Sequence, residues 1–182
     1  MQPRKGTDSI VEMTQLLLPG DANSLGAAFG GSVMGWIDIC AAVSAQRHSR
    51  QTVVTASMDD LHFHAPIKVG FQVILRARVI AAFKTSMEVA VSVHSENPLT
   101  GERQLTTSAL LTFVALDAEG KKLPVPPLLL ETELEQRAAE EASVRRAERR
   151  AQRVRVAGQQ ELRHLDDGVG AFARLHACSV RR

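Results

Sequence analysis

Residues Gly30 to Arg47 read GGSVMGWIDICAAVSAQR, and the helix this run forms carries apolar or small side chains on nearly every face. A helix presenting Val33, Met34, Trp36, Ile37, Cys40, Ala41 and Val43 with almost no polar stripe has to be surrounded by protein. At 182 residues the chain is long enough for one sizeable core and one domain.

After the helix the period changes to two. QTVVTASM is β-branched, and HAPIKVG, with Pro66 and Gly70, reads as a connection. In FQVILRARVIAAF, Val73, Leu75, Ala77 and Val79 share one face, with Arg76 and Arg78 on the other. In SMEVAVSVHS, Met87, Val89, Val91 and Val93 alternate with Glu88, Ser92 and His94. NPLTGE is a turn, and RQLTTSALLTFVALD is a further long strand closed by AEGKK. Ahead of the helix, Ile10 to Leu18 reads as a first strand ending at PGD, and residues 1–8 as a frayed terminus. The expected order is strand, one buried helix, then a meander of about four strands. Short connections between alternating strands imply antiparallel pairing, so the predicted class is α+β, a hotdog fold with an antiparallel sheet wrapped around one long helix.

The predicted organisation has four parts: the hotdog domain over 9–120, a proline-rich linker over 121–131, a charged helical arm over 132–155 and a loosely ordered tail over 156–182. At the start of the arm Thr132 and Glu135 form a capping box. Acids lead and arginines trail along it, which complements the helix dipole.

A net charge of +2 is too mild to predict a nucleic-acid partner, and with six Phe, one Trp and no Tyr there are few platforms for stacking bases. No run approaches the ~20 apolar residues of a membrane span, and the basic N-terminus has no apolar run behind it. Cys40 and Cys178 are far apart in sequence, so a reducing, cytoplasmic setting is expected.

Asp38 is the one acid inside the apolar run, and burying a lone carboxylate is costly. It lies eight residues after Gly30, two helical turns or ~12 Å along the axis. Gly30 and Gly31 stand where the helix starts, and free N–H groups there make an anion site that small residues leave open. Such a site meets the need for an oxyanion donor in acyl transfer. Asp38 is too far along its own helix to serve a carbonyl docked there, but a second, antiparallel copy of the helix brings its Asp38 to that point. Asn23, seven residues before Gly30, then holds a water beside the carboxylate. Carboxylate, amide and helix-start N–H form a hydrolytic set. On spacing alone, a buried acid bonded to a neighbouring N–H or arginine explains Asp38 equally well.

DANSLGAAFGGSVMGWIDICAA resembles the acyl-CoA thioesterase (acyl-CoA hydrolase) family of hotdog proteins, with its N-x-x-G-x-x-F-G-G-x-x-M-x-x-x-D pattern. Asn23, Gly26, Phe29, Gly30, Gly31, Met34 and Asp38 fill each position. The T-A-S-x-D-D and F-x-T-S-M-E signatures, around Thr55 and Thr85, are similar to the cytosolic acetyl-CoA hydrolase and brown-fat-inducible thioesterase branch. The resemblance implies hydrolysis of acyl-CoA to a free acid and coenzyme A, with Asp38 as catalytic carboxylate and Asn23 as catalytic amide from different hotdog units. It implies that Ala56, Ser57 and Met58, and Thr85, Ser86 and Met87, contact coenzyme A. It makes Arg149 and Arg150 candidates for a nucleotide-phosphate contact. It also implies a homodimer, further assembled as a trimer of dimers, with no metal and no cofactor apart from the coenzyme A moiety of the substrate.

His62 and His64 would share a strand face, which permits a metal, but no third ligand is evident. Two other functions stay open: a hotdog hydratase or dehydratase, which would need a histidine partner for Asp38, and a non-catalytic acyl-CoA-binding sensor or scaffold.

Overall fold

The structure, a computed structural model, describes residues 1–152 and Arg155; the predicted tail, with Cys178, lies outside the described residues. One compact unit runs from Met1 to Ala142, and a second begins at Ser143. In the first unit, strand β1 (Arg4–Lys5) precedes β2 (Val11–Leu16), helix α1 (Gly30–Ser49), and the long strands β3 (Thr52–Phe63), β4 (Gln72–Ala82), β5 (Ser86–Glu96) and β6 (Arg103–Leu116), with β7 (Leu128–Leu129) last. Residues 133–152 are helical.

The main sheet has the order β2-β4-β5-β6-β3, all antiparallel. The meander expected after the helix therefore holds for β4, β5 and β6 only. β3 pairs with β6 rather than with its sequence neighbour β4, because the connection 64–71 carries the chain across to the opposite side of the sheet. β3 is also longer than QTVVTASM, and it includes Asp59, Asp60 and His62. It accommodates two irregularities, between Thr55 and Ser57 and between Asp59 and His62, with Asp60 at φ 49°.

Alternation places Val73, Leu75, Ala77 and Val79 of β4, Met87, Val89, Val91 and Val93 of β5, and Ala109, Leu111, Phe113 and Ala115 of β6 in the core. They pack with Val33, Ile37, Cys40, Ala41 and Ala45 of α1. Each large side chain buried this way contributes about 1.5–3 kcal/mol. Glu88, on the polar side of β5, is buried as well, beside the irregularity between Val79 and Ala81.

Within the single chain the sheet covers one side of α1, and the covering expected all round is incomplete. Met34 is 39% and Ile39 55% exposed, and Val54 on the edge strand β3 is 43% exposed. The apolar sequence of α1 is thus matched by an apolar surface that the described residues leave bare.

The N-terminal residues are not frayed. β1 pairs in parallel with β7, and Gly6–Ser9 forms a 3₁₀ turn. Ser9 Oγ is buried, donates to Gly6 O and accepts the Val79 N–H. The Arg4 guanidinium donates to the His48 carbonyl (2.8 Å) at the end of α1, satisfying a carbonyl the helix leaves open. The proline-rich stretch packs on the same body. Val125 enters the core, and Pro124 O accepts a hydrogen bond from Gln51.

Ahead of 133–142 the capping box closes in both directions. Glu135 N–H donates to Thr132 Oγ1, and Glu135 Oε2 accepts the N–H groups of Glu131 (2.7 Å) and Thr132 (3.2 Å). Those N–H groups, with Arg78 at 3.2 Å, hold the Glu135 carboxyl below its usual range. No helix among the described residues is long and apolar enough to cross a membrane.

Candidate active site

The loop entering α1 is tied down by its own backbone. Asn23 N–H donates to Ala27 O (2.7 Å) and Gly26 N–H to Asn23 O (3.0 Å), a turn that uses the left-handed φ of 70° at Gly26. The Asn23 side-chain oxygen accepts the N–H groups of Leu25 (2.9 Å) and Ala27 (3.3 Å). Two donors on one oxygen settle the orientation of the amide. The group Asn23 has left to offer a ligand is its NH2, a donor.

Phe29 caps the start of α1 without a side-chain hydrogen bond, and the first N–H to close a helical bond is that of Val33, to Phe29 O. The N–H groups of Gly30, Gly31 and Ser32 point out of the helix start, at the positive end of its dipole. At Gly31 a Cβ would stand 2.6 Å from Phe29 Cε1, so a larger residue there has to displace the Phe29 ring. Beside Gly30 a cavity of about 380 Å³ opens, with Asn23, Gly30, Val33, Phe63, His64, Ile67 and Thr107 among its walls. Its walls are largely apolar, with Asn23, His64 and Thr107 as polar residues among them.

Asp38 is not part of that wall. It lies on the same helix facing β3, where Thr55 Oγ1 donates to Asp38 Oδ1 at 2.6 Å. Asn23 and Gly30 thus share a cavity, and Asp38 stands apart from them next to Thr55, beside the exposed Met34, Ile39 and Val54.

The two expected coenzyme A segments converge. Val54 and Ser86 both pair with Val114 of β6, Thr55 and Met87 with Phe113, and Ser57 and Glu88 with Thr112. Ala56–Met58 and Thr85–Met87 therefore flank β6 at one end of the sheet, close to Asp38. Ser57 Oγ donates to Asp59 Oδ2. The Met87 side chain is inside the core, so only its backbone is open to a ligand. Arg149 and Arg150 belong to the second unit, in its helical residues.

Thr55 had a signal in the sequence, the first letter of T-A-S, yet nothing local pointed to Asp38 as its partner. Phe63, His64 and Thr107 are further wall residues that the sequence reading missed. His64 bonds Ser108 Oγ through Nε2 (2.9 Å), and its ring stacks on that of His62. Among the described residues no three His, Cys, Asp or Glu side chains gather as metal ligands would. Cys40 is a free thiol in the core, and burial pushes it up to about 11, so it remains protonated near neutral pH.

Comparison with known proteins bears on the same residues. The sequence pattern of the Thioesterase superfamily matches residues 25–102. An uncharacterized acyl-CoA thioester hydrolase of Bacillus subtilis is 43% identical over 148 residues, 81% of this chain and 86% of that protein. The acetyl-coenzyme A thioesterase of Mus musculus is 38% identical over 136 residues, but the chain spans only 24% of its length. A hexameric acyl-CoA thioesterase, solved in its apo form, superposes with a TM-score of 0.79 at 44% identity, covering 84% of this chain and 97% of that one. The acyl-CoA hydrolase of Staphylococcus aureus, solved with butyryl coenzyme A and coenzyme A, superposes at 0.78 with 34% identity, over 90% of this chain and 98% of that one. Alanine variants of the latter at an aspartate, a threonine and an asparagine have also been solved. Along its chain those three residues are separated by the same intervals as Asn23, Asp38 and Thr55 here. The sheet order, the helix-start cavity and this agreement of residue types over most of both chains lead to one assignment: the chain belongs to the acyl-CoA thioester hydrolases of the thioesterase superfamily.

Proposed function

We propose that this protein hydrolyses the thioester of acyl-CoA, giving a free carboxylic acid and coenzyme A, at sites built from two copies of the chain. The observation that carries this is the separation of Asp38 from the cavity shared by Asn23 and Gly30. Two helical turns part Gly30 from Asp38, ~12 Å, too far for one chain to supply both groups to one carbonyl. The bare Met34, Ile39 and Val54 beside Asp38 give a second copy an apolar surface to cover, and β3 is a free sheet edge.

The thioester carbonyl docks at the N–H groups of Gly30 and Gly31, where its oxygen gains negative charge in the transition state. Asn23 donates its NH2 to the attacking water. Asp38 of the second copy, with Oδ1 occupied by Thr55, takes a proton from that water through Oδ2. Water oxygen bonds to the carbonyl carbon, the C–S bond breaks, and the proton passes from Asp38 to the departing thiolate. Direct attack by Oδ2 to give a mixed anhydride uses the same oxygen. Side chains and backbone supply every group needed, so the reaction calls for no metal or cofactor. Coenzyme A lies along Ala56–Met58 and Thr85–Met87, with Arg149 and Arg150 as candidates for its nucleotide phosphates. Such dimers assemble further in threes, a stoichiometry that fits a hexamer like that of the relative.

Mixed oligomers test the shared site. Asp38→Ala and Asn23→Ala are each expected to release almost no thiol from butyryl-CoA while retaining coenzyme A affinity within about threefold. Denatured and refolded together, the two variants regain about a quarter of wild-type activity, because half the dimers are mixed and each mixed dimer has one intact site. No recovery, or near-wild-type turnover by Asp38→Ala alone, overturns the assignment.

A further inference from the structure

Phe63 stands where β3 reaches the start of α1. It is the last residue of the strand, opposite Thr107 of β6, and the next residue, His64, donates its N–H to Thr106 O at 2.7 Å. The backbone is therefore held on both sides. Thr107 is buried on the core face, so the Phe63 side chain, directly across the ladder, lies on the side of α1. Its ring is nonetheless 52% exposed. Of the phenylalanines among the described residues only Phe63 and Phe29 are exposed in this way, and both adjoin the glycines of the helix start.

A Cβ built on Gly30 would stand 3.5 Å from Phe63 Cζ and 4.0 Å from Cε2. Its chain neighbours and own helix aside, it would meet nothing else within 4 Å among the described residues. These are ordinary van der Waals distances, and Gly30, unlike Gly26, has no left-handed φ. Neither packing nor backbone conformation thus requires glycine here, and a helix favours alanine. What the glycine leaves is a notch one methyl group deep, between the free N–H groups and the edge of the Phe63 ring. It opens on the cavity that both residues line. An oxygen bound to the Gly30 N–H lies about 3 Å from that nitrogen. A group as large as a thioester, seated there, meets the ring.

We propose that Phe63 is a further residue of the catalytic site: its ring touches the thioester docked at Gly30, turns the carbonyl toward the N–H groups and keeps water from them. The proposal rests on the hydrolase reading above and adds a residue to its site. N–H groups act most strongly on a developing oxyanion where water does not compete for them. β3 then serves both halves of the site, holding Asp38 through Thr55 at one end and touching Gly30 through Phe63 at the other. In a site built from two copies, Phe63 comes from the copy that supplies Asn23 and Gly30, and Thr55 from the copy that supplies Asp38.

The test compares Phe63→Ala and Phe63→Leu with the wild type by thiol release from butyryl-CoA, butyryl-CoA affinity, melting temperature and light scattering. Phe63→Ala is expected to lose about tenfold to a hundredfold in kcat/KM. Its melting temperature stays within about 3 °C and its oligomer is unchanged, since an exposed ring contributes little to the core. Phe63→Leu recovers much of the loss, because bulk is what excludes water. Mixed refolding then assigns the half-site. Phe63→Ala with Asp38→Ala regains about a quarter of the wild-type rate, since each mixed dimer keeps one intact site. Phe63→Ala with Asn23→Ala regains nothing. Unchanged kcat/KM in Phe63→Ala overturns the proposal and leaves the hydrolase reading intact. So does dissociation of the oligomer, which makes the ring a contact between copies, and so does recovery with Asn23→Ala, which moves Phe63 to the half-site of Asp38. If even Asn23→Ala with Asp38→Ala fails to recover, the two-copy reading falls and the single variants decide the role of Phe63. Absence of thiol release from the wild type overturns the hydrolase reading; equal butyryl-CoA affinity in the wild type and Phe63→Ala then removes the contact with the ring as well.

Discussion

Thr55 Oγ1 donates a 2.6 Å hydrogen bond to Asp38 Oδ1, joining the edge strand β3 to the middle of α1. One bond of this kind fixes the rotation of the carboxylate and reserves Oδ1, so that Oδ2 is the oxygen presented for reaction. It also supplies a partner for the half-buried acid of an otherwise apolar helix.

Removing that bond without removing bulk is the sharpest test of its role. Thr55→Val is expected to lower kcat for acyl-CoA hydrolysis by about tenfold to a hundredfold with KM changed little, since the base is misoriented and substrate contacts are retained. Thr55→Ser restores most of the rate. An unchanged kcat in Thr55→Val would show that Asp38 needs no such support.

Gly31→Ala probes the helix start. The new Cβ would meet the Phe29 ring at 2.6 Å, and Phe29, more than half exposed, is free to swing away. Thermal stability is expected to hold or rise, since alanine favours a helix over glycine by up to about 1 kcal/mol. The shifted ring disturbs the N–H groups beside it, so kcat/KM is expected to fall about tenfold. Calorimetry and thiol release on the same preparation separate the two effects, and full activity in the variant would remove Gly31 from the oxyanion site.

His48 gives a pH signature. It is buried near the end of α1, and burial lowers its tendency to protonate; its Nε2–H bonds Pro126 O at 2.9 Å. A folded-state value below the unfolded one, ~6.5, means that the unfolded chain binds the extra proton first. The contribution is therefore complete above about pH 6.5 and is lost as pH falls through the folded-state value. Melting temperatures measured from pH 8 to pH 5 are expected to fall more steeply for the wild type than for His48→Gln. Parallel curves would assign the acid sensitivity to other groups.

The features legible in the sequence are those decided within a few residues. β4, β5 and β6 follow from alternation, α1 from its apolar run, and the cap at Thr132 and Glu135 from their spacing of three. The site was half legible: Asn23, Gly30 and Asp38 stand in one stretch, and their two-turn offset implied a second copy. Thr55 escaped because its bond to Asp38 depends on β3 lying against α1, which no local pattern encodes. β3 was placed beside β4 for the same reason: pairing with β6 is a choice between distant partners. Thr107 reads as one more threonine in TTS, and only the fold places it in the cavity wall.

The pairing of β1 with β7 sets an order on the assembly of this unit. Residues Arg4 and Lys5 find their partners only at Leu128 and Leu129, on the far side of every other strand. The first element of the chain is thus necessarily among the last to close, after β6 and the proline-rich stretch are available. The Arg4–His48 and Ser9–Val79 hydrogen bonds, by contrast, need no residue beyond β4. Long-range closures such as that of β1 on β7 are slow because the loop entropy is lost before any contact compensates it. During synthesis the growing chain carries its own clasp, open, until residue 129 has emerged.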